Sequence, residues 1–142
     1  TFTDGLARMA ALPDLADPRV PTAAAQAYRY FNEGLPLHAK DEDESLGPRL
    51  VRVAPDAGPL LEELAADHVA IDRTLETLLP LLDTLARGEQ VPLATFRIAV
   101  AALTDILIPH IVREEAELFP LCAGLSPEDK RAIARELHER RR

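Results

Sequence analysis

Residues 60–86 read LLEELAADHVAIDRTLETLLPLLDTLA. Leu61, Leu64, Ile71, Leu75, Leu78, Leu82 and Leu85 fall at steps of three and four, and His68 occupies the one place in that series that an aliphatic residue would complete. Steps of three and four bring side chains to a single face of an α-helix, whereas a strand would alternate every second residue. The spacing predicts a helix from about Pro59 to Arg87, kinked at Pro80 and ended by Gly88, a residue suited to the left-handed turn past a helix C-terminus. A helix with one apolar seam must bury it against other helices, so the fold question becomes where the partners lie.

Working outward, residues 92–118 carry a second stripe of Phe96, Val100, Leu103, Leu107, His110, Glu114 and Leu118, continued by Leu121. A helix from about Thr22 to Leu46, bent at Gly34 and Pro36, carries Ala24, Ala27, Phe31, Leu35, His38, Glu42 and Leu46. Between it and the central helix, LGPRLVRVAPDAGP reads as a loop because of its Gly and Pro content. Residues 3–12 read as a short helix, and Ser126, Pro127 and Asp129 mark the start of a last one. No segment alternates as a strand does. The expected fold is all-α: an antiparallel up-and-down four-helix bundle with a truncated first helix. It forms a single domain over 1–142, with 1–21 a first-helix remnant and loop, 22–122 the bundle proper and 126–142 a short C-terminal helix.

Composition supports that fold and narrows the function. Apolar residues make up 47% of the 142, enough for a packed core, and the 4% aromatic content suits a core of Leu and Ala. With 24 acidic against 16 basic side chains the formal charge is −8, which disfavours nucleic acid and anionic membrane surfaces as partners. The basic tip Arg140–Arg142 reads as a solvated helix end, favourable at a C-terminus. Cys122 is the only cysteine, so no disulfide forms within the chain. No apolar run is read as reaching the ~18 residues that span a bilayer, and no signal peptide is visible, which together point to the cytoplasm.

The polar residues on the apolar seams carry the function. His38, His68 and His110 all lie where core residues should be, and Glu42 and Glu114 each follow a histidine by four, one helical turn on. A buried imidazole or carboxylate costs several kcal/mol unless paired, a large share of a domain's ~5–15 kcal/mol. Two buried glutamates need a cation, and no Lys or Arg lies on these seams; a metal ion held by imidazole nitrogen and carboxylate oxygen is the simplest candidate. A repeat supports the grouping. Shifted by the interval from His38 to His110, Glu42 meets Glu114, Asp43 meets Glu115, Leu46 meets Leu118 and Pro48 meets Pro120. Packing alone gives no reason to repeat both polar residues. Asp41, Asp43 and Glu44 read as a solvated face, and His138 with Glu139 as a surface pair. Asp72 could serve as a metal ligand, but reads rather as a partner orienting His68 or an exposed acid.

The paired stretches HAKDEDESLGP and HIVREEAELFP, with ADHVAID between them, resemble the signatures of hemerythrin-like proteins, the HHE cation-binding family. The resemblance spans residues 22–122. It implies a non-haem di-iron centre bridged by two carboxylates, with each half of the bundle giving one lone histidine and one H-x-x-x-E. On this chain His68, His110 and Glu114 complete one half. His38 and Glu42 belong to the other, whose lone histidine would fall before Thr1 by the repeat interval, so one ion or two remain open. Iron is the cofactor implied, with zinc or nickel as substitutes on bare affinity. The order of His and Glu differs from the acid-first pattern of ferritin-like di-iron bundles. The function implied is binding or sensing of O2 or NO, or handling of iron and redox species. Alternatives are a metal-free helical interaction domain with a degenerate site and a small di-metal oxidase. No general base, nucleophile or phosphate loop is visible, so no dedicated enzyme chemistry is implied.

Overall fold

The computed structural model describes all 142 residues and contains helices and no strand. α1 is Phe2–Ala10, started by a capping box in which Thr1 and Asp4 satisfy each other's backbone N–H groups. α2 (Val20–Arg29), α3 (Leu35–Lys40) and α4 (Gly47–Val53) succeed one another without a break, joined by π turns at Tyr30–Gly34 and Asp41–Leu46. A short 3-10 turn, Pro55–Ala57, leads into α5, Gly58–Ala86. α6 is Leu93–Arg113, extended by a third π turn at Glu114–Leu118 and a 3-10 segment at Phe119–Gly124. α7 is Pro127–Arg140, with the Ser126 hydroxyl accepting the Asp129 N–H at 3.0 Å. Half of the stretch read as a loop, residues 46–59, is the helix α4, and most of the rest is the 3-10 turn and the start of α5. Gly47 and Pro48 sit at the first positions of α4, where proline's missing N–H and fixed φ do no harm.

α5 ends as its residues dictate. Gly88 has φ +80°, and the Gly88 and Glu89 N–H groups donate to the Leu85 and Thr84 carbonyls at 3.0 and 3.2 Å, closing the helix in a Schellman turn. Pro80 stays inside α5.

The chain packs as two compact units, residues 1–35 with 70–107 and residues 36–69 with 108–142. The first has an apolar core that includes Leu6, Phe31, Leu78, Leu82, Phe96 and Leu103, all fully buried. The second has a smaller apolar cluster of Leu50, Leu64, Leu118 and Leu125. It also holds every buried polar or charged side chain of the protein: Asp41, Glu42, Ser45, His68, His110 and Glu114. The α5 seam is buried as its spacing predicts from Leu64 to Leu85, with Leu61 half-buried.

Two sequence expectations are corrected. The helix running through Leu93–Gly124 is, by length and composition, long and apolar enough to cross a membrane, with mean hydropathy 1.6 in its most apolar window. Arg97, Asp105 and His110 are the ionisable residues inside that window, and Glu114 lies just beyond it. A third of the window is buried, and Ile98, Ile108 and Val112 are exposed. The stripe on the second helical run also breaks: Leu35 and Leu46 are only half-buried, while Asp41 and Ser45 are buried instead. Each π turn closes an i→i+5 bond and so inserts a residue into the 3.6-residue register, rotating the next stretch of helix to a new face.

Candidate metal centre

The centre lies wholly within the second unit. α3 gives His38, the π turn after it gives Glu42, α5 gives His68, and α6 with its π turn gives His110 and Glu114. The two π turns at the glutamates are matched in their bonding. Gly47 N–H donates to the Glu42 carbonyl and Phe119 N–H to the Glu114 carbonyl, so the sequence repeat is also a repeat of backbone geometry. π turns are rare and concentrate at functional sites.

One ligand atom from each of Glu42, His68, His110 and Glu114 lies within 4.8 Å of the other three, and all four side chains are buried. Their tips crowd together. His68 Nε2 is 3.2 Å from Glu42 Oε2 and 4.0 Å from Glu114 Oε1, and His110 Nε2 touches Glu114 Oε1. Yet Glu42 Oε1, Glu42 Oε2 and Glu114 Oε1 make no hydrogen bond. Buried carboxylate oxygens without partners are costly. Atoms that approach closely without hydrogen-bond alignment are converging on common points, and imidazole nitrogen with carboxylate oxygen is a donor set for a divalent metal. On that test the residues fit a metal ion.

The other ring nitrogens are held in place. His68 Nδ1 lies 3.0 and 3.1 Å from the Asp43 oxygens, and His110 Nδ1 lies 3.0 Å from Asp67 Oδ2. An acid that accepts the Nδ1–H selects the tautomer that leaves Nε2 bare, the arrangement usual around metal-ligating histidines. Neither pairing of acid with ring is part of the sequence reading. Asp43 reads as part of a solvated face, but the π turn swings it onto His68. Asp67 stands next to His68 in the chain and serves His110 instead. Its signal is present: an acid adjacent to a seam residue lies about 100° around the helix, facing a neighbour. Asp72 is exposed and touches neither ring.

His38 departs from the expectation that all three histidines point into the core. Its side chain is 46% exposed, because it comes after the register shift of the first π turn. Its Nε2 nonetheless lies 2.9 Å from Glu42 Oε1 and 3.8 Å from Glu114 Oε2, at the rim of the cluster.

The charges are mutually dependent. The Glu114 and Glu42 carboxylates push His38 up to about 10. Burial works against a charge on His68, but Glu114, Glu42 and Asp43 outweigh it and push this ring to about 10 as well. Burial likewise opposes a charge on His110, and Glu114 and Asp67 overcome it, raising its pKa. Burial would favour protonated Glu114, but His110, His38 and His68 hold it well below the usual carboxylate range. Without metal, protons on the imidazoles balance the acids; a divalent cation would replace them.

An all-α bundle with a buried two-histidine, two-glutamate cluster and acid-braced rings defines a metal-binding helical protein. The model of the family described as "Hemerythrin HHE cation binding domain" matches residues 1–122, and the chain belongs to that family. An uncharacterized protein of Haemophilus influenzae is 35% identical over 66 residues, covering 43% of this chain and 38% of that protein. The chain thus matches less than half the length of this relative. No solved structure matches the chain.

Proposed function

We propose that the protein holds a carboxylate-bridged pair of iron ions and uses it to bind or sense a small diatomic ligand, O2 or NO. The observation that carries this reading is how the carboxylate oxygens divide. Glu42 turns Oε1 to His38 and Oε2 to His68; Glu114 turns Oε2 towards His38 and Oε1 to His110. Each glutamate therefore faces two sides, as bridging requires. One side has two imidazoles, His68 and His110, and the other has His38 alone. Iron, when bound, supplies a redox-active Lewis acid able to take a diatomic ligand at an unfilled position. The protein's own groups do the rest. Asp43 and Asp67 orient the rings, and the half-exposed His38 side leaves room for water or ligand. An open groove of about 470 Å³, lined by apolar residues such as Val51, Leu61, Leu64 and Leu118 together with the acids Glu42, Asp43 and Glu62, leads to the Glu42 side of the centre.

The test is metal analysis with X-ray absorption at the iron edge after anaerobic reconstitution. Iron near two per chain is expected in the wild type. His110→Ala should lose most of it, and His138→Ala, in the exposed last turns of α7, should keep it. No iron uptake, or equal uptake in all three, overturns the reading. Ultraviolet–visible titration with NO then separates diatomic binding from simple iron storage.

A further inference from the structure

The charged cluster between α7 and the π turn that carries Glu42 is not absorbed by the metal-binding set, and it begins with a buried acid. Asp41 precedes Glu42, and its side chain is only 9% exposed. It is held by two guanidinium groups from the end of α7. Arg140 Nη1 reaches Asp41 Oδ1 at 2.6 Å, and Arg141 reaches both oxygens, at 3.0 and 2.5 Å. One turn on, the Ser45 hydroxyl is fully buried; it accepts from Arg140 Nη2 at 2.8 Å and donates to Glu136 Oε1 at 3.0 Å. Arg49 closes the network by binding Glu136 at 2.5 Å and the Ser45 carbonyl at 3.0 Å. The basic tip that reads as a solvated helix end is thus a clamp, with the Arg140 side chain 15% exposed.

The clamp grips the segment Asp41–Leu46 at its first residue and its fifth, and the two residues between that serve the centre are Glu42 and Asp43. A π turn is a rare single-turn departure from the α-helix, and here Arg140 and Arg141 of α7 hold it from outside. Rotation of this turn would withdraw a carboxylate from the metal position and the acid from His68 together. The π turn at Glu114 carries no such clamp: its charged neighbours, Arg113 with Glu63 and Glu117, are partly exposed surface pairs. The family match ends at residue 122, so the gripping residues of α7 lie beyond it.

We propose that α7 is a positioning element of the metal centre, in which Arg140 and Arg141 lock Asp41 and Ser45 so that the π turn aims Glu42 at the metal and Asp43 at His68. This rests on the metal reading above. It makes the C-terminal helix a determinant of metal affinity, and a means of lowering that affinity if α7 is drawn away.

The test uses the full chain with Arg140→Gln/Arg141→Gln and, separately, Asp41→Asn, which removes the buried charge that the first variant leaves unpaired. Zinc affinity is measured by chelator competition, the visible absorption of the cobalt-loaded protein reports ligand geometry, and hydrogen exchange of the metal-free protein reports the backbone at residues 42–47. Expected are a loss of about tenfold or more in affinity, the scale usual for groups that orient ligands, a shifted cobalt band, and faster exchange confined to that segment. Wild-type affinity and an unshifted band in both variants, even with a lower melting temperature, would make the clamp merely structural and overturn the proposal while leaving the metal reading intact. A wild type that takes up neither ion overturns both.

Discussion

Metal loading should expel protons, and the number is set by the ring charges. In the metal-free protein the Glu114 and Glu42 carboxylates hold His38 near 10, the acids around His68 hold it near 10, and His110 is raised as well. A ligating imidazole must be bare at Nε2. Filling the two-imidazole side at pH 6.5–7.5 therefore releases about one proton from His68 and a further share from His110, and filling both sides adds about one more from His38. The logarithm of the apparent association constant should rise by the same number per pH unit, at about 1.4 kcal/mol per proton per unit. Zinc, being redox-silent, is the cation to use. Calorimetric titration at fixed pH in two buffers of different ionisation enthalpy counts the protons directly, and chelator competition at pH 6.5 and 7.5 gives the slope independently. Release of fewer than about one proton with an affinity flat in pH would refute the argument, because it would mean that the imidazoles enter the site already neutral.

The same charges predict how the metal-free protein responds to alkali. Folded-state values for His38 and His68 lie above the ordinary 6.5, so their stabilisation is complete below 6.5 and is lost as pH rises through about 10. Thermal melting in chelator should fall from pH 6.5 to 10, and a melting temperature that climbs over that range would contradict the charge assignment. Asp67→Asn should weaken zinc binding by about 10- to 100-fold because His110 loses the acceptor that fixes its ring. Asp72→Asn should change nothing, and equal losses in the two variants would remove Asp67 from the centre. Gly47→Ala places a methyl group 2.9 Å from the Glu42 carbonyl oxygen, a backbone atom that cannot turn aside. The π turn must shift, so metal affinity should drop with helix content largely kept; unchanged affinity would show that the turn tolerates the methyl.

The parts of this protein legible in sequence are those where the α-helical period is unbroken. The α5 seam from Leu64 to Leu85 and the α6 stripe from Phe96 to Glu114 are buried as their spacing requires. Because His68 and His110 lie on those runs, their meeting with the glutamates could be expected. The stripe fails where a π turn inserts a residue: Gly34 and Pro36 mark a bend near the first such turn without showing the shift of register, and Asp41–Leu46 reads as ordinary helix. His38 therefore lies further out than its spacing suggests, Asp41 and Ser45 lie further in, and Asp43 stays exposed while reaching His68. The Arg140–Asp41 pair is invisible for another reason: a contact between residues so far apart in the chain leaves no periodic trace. The hemerythrin-like motifs named the ligand types, but the acids bracing the rings had to be seen in place.

The pairing of neighbours in the chain with different targets in space has a consequence for the changes that the gene can accept. Glu42 and Asp43 are adjacent, yet one faces the metal position and the other His68; Asp67 and His68 are adjacent, yet one serves His110 and the other the cluster. A substitution at any of these positions removes one role. A single-residue insertion or deletion upstream within the same helical run turns everything beyond it by about 100°, displacing a ligand and a brace in one event. On the α5 side that would unseat His68 and free His110 at once. The reading frame of each helix, counted in residues, is thus a heritable dimension of the centre. Lineages should accumulate point changes around these two pairs far more readily than changes of length, except within the π turns, which already absorb one extra residue each.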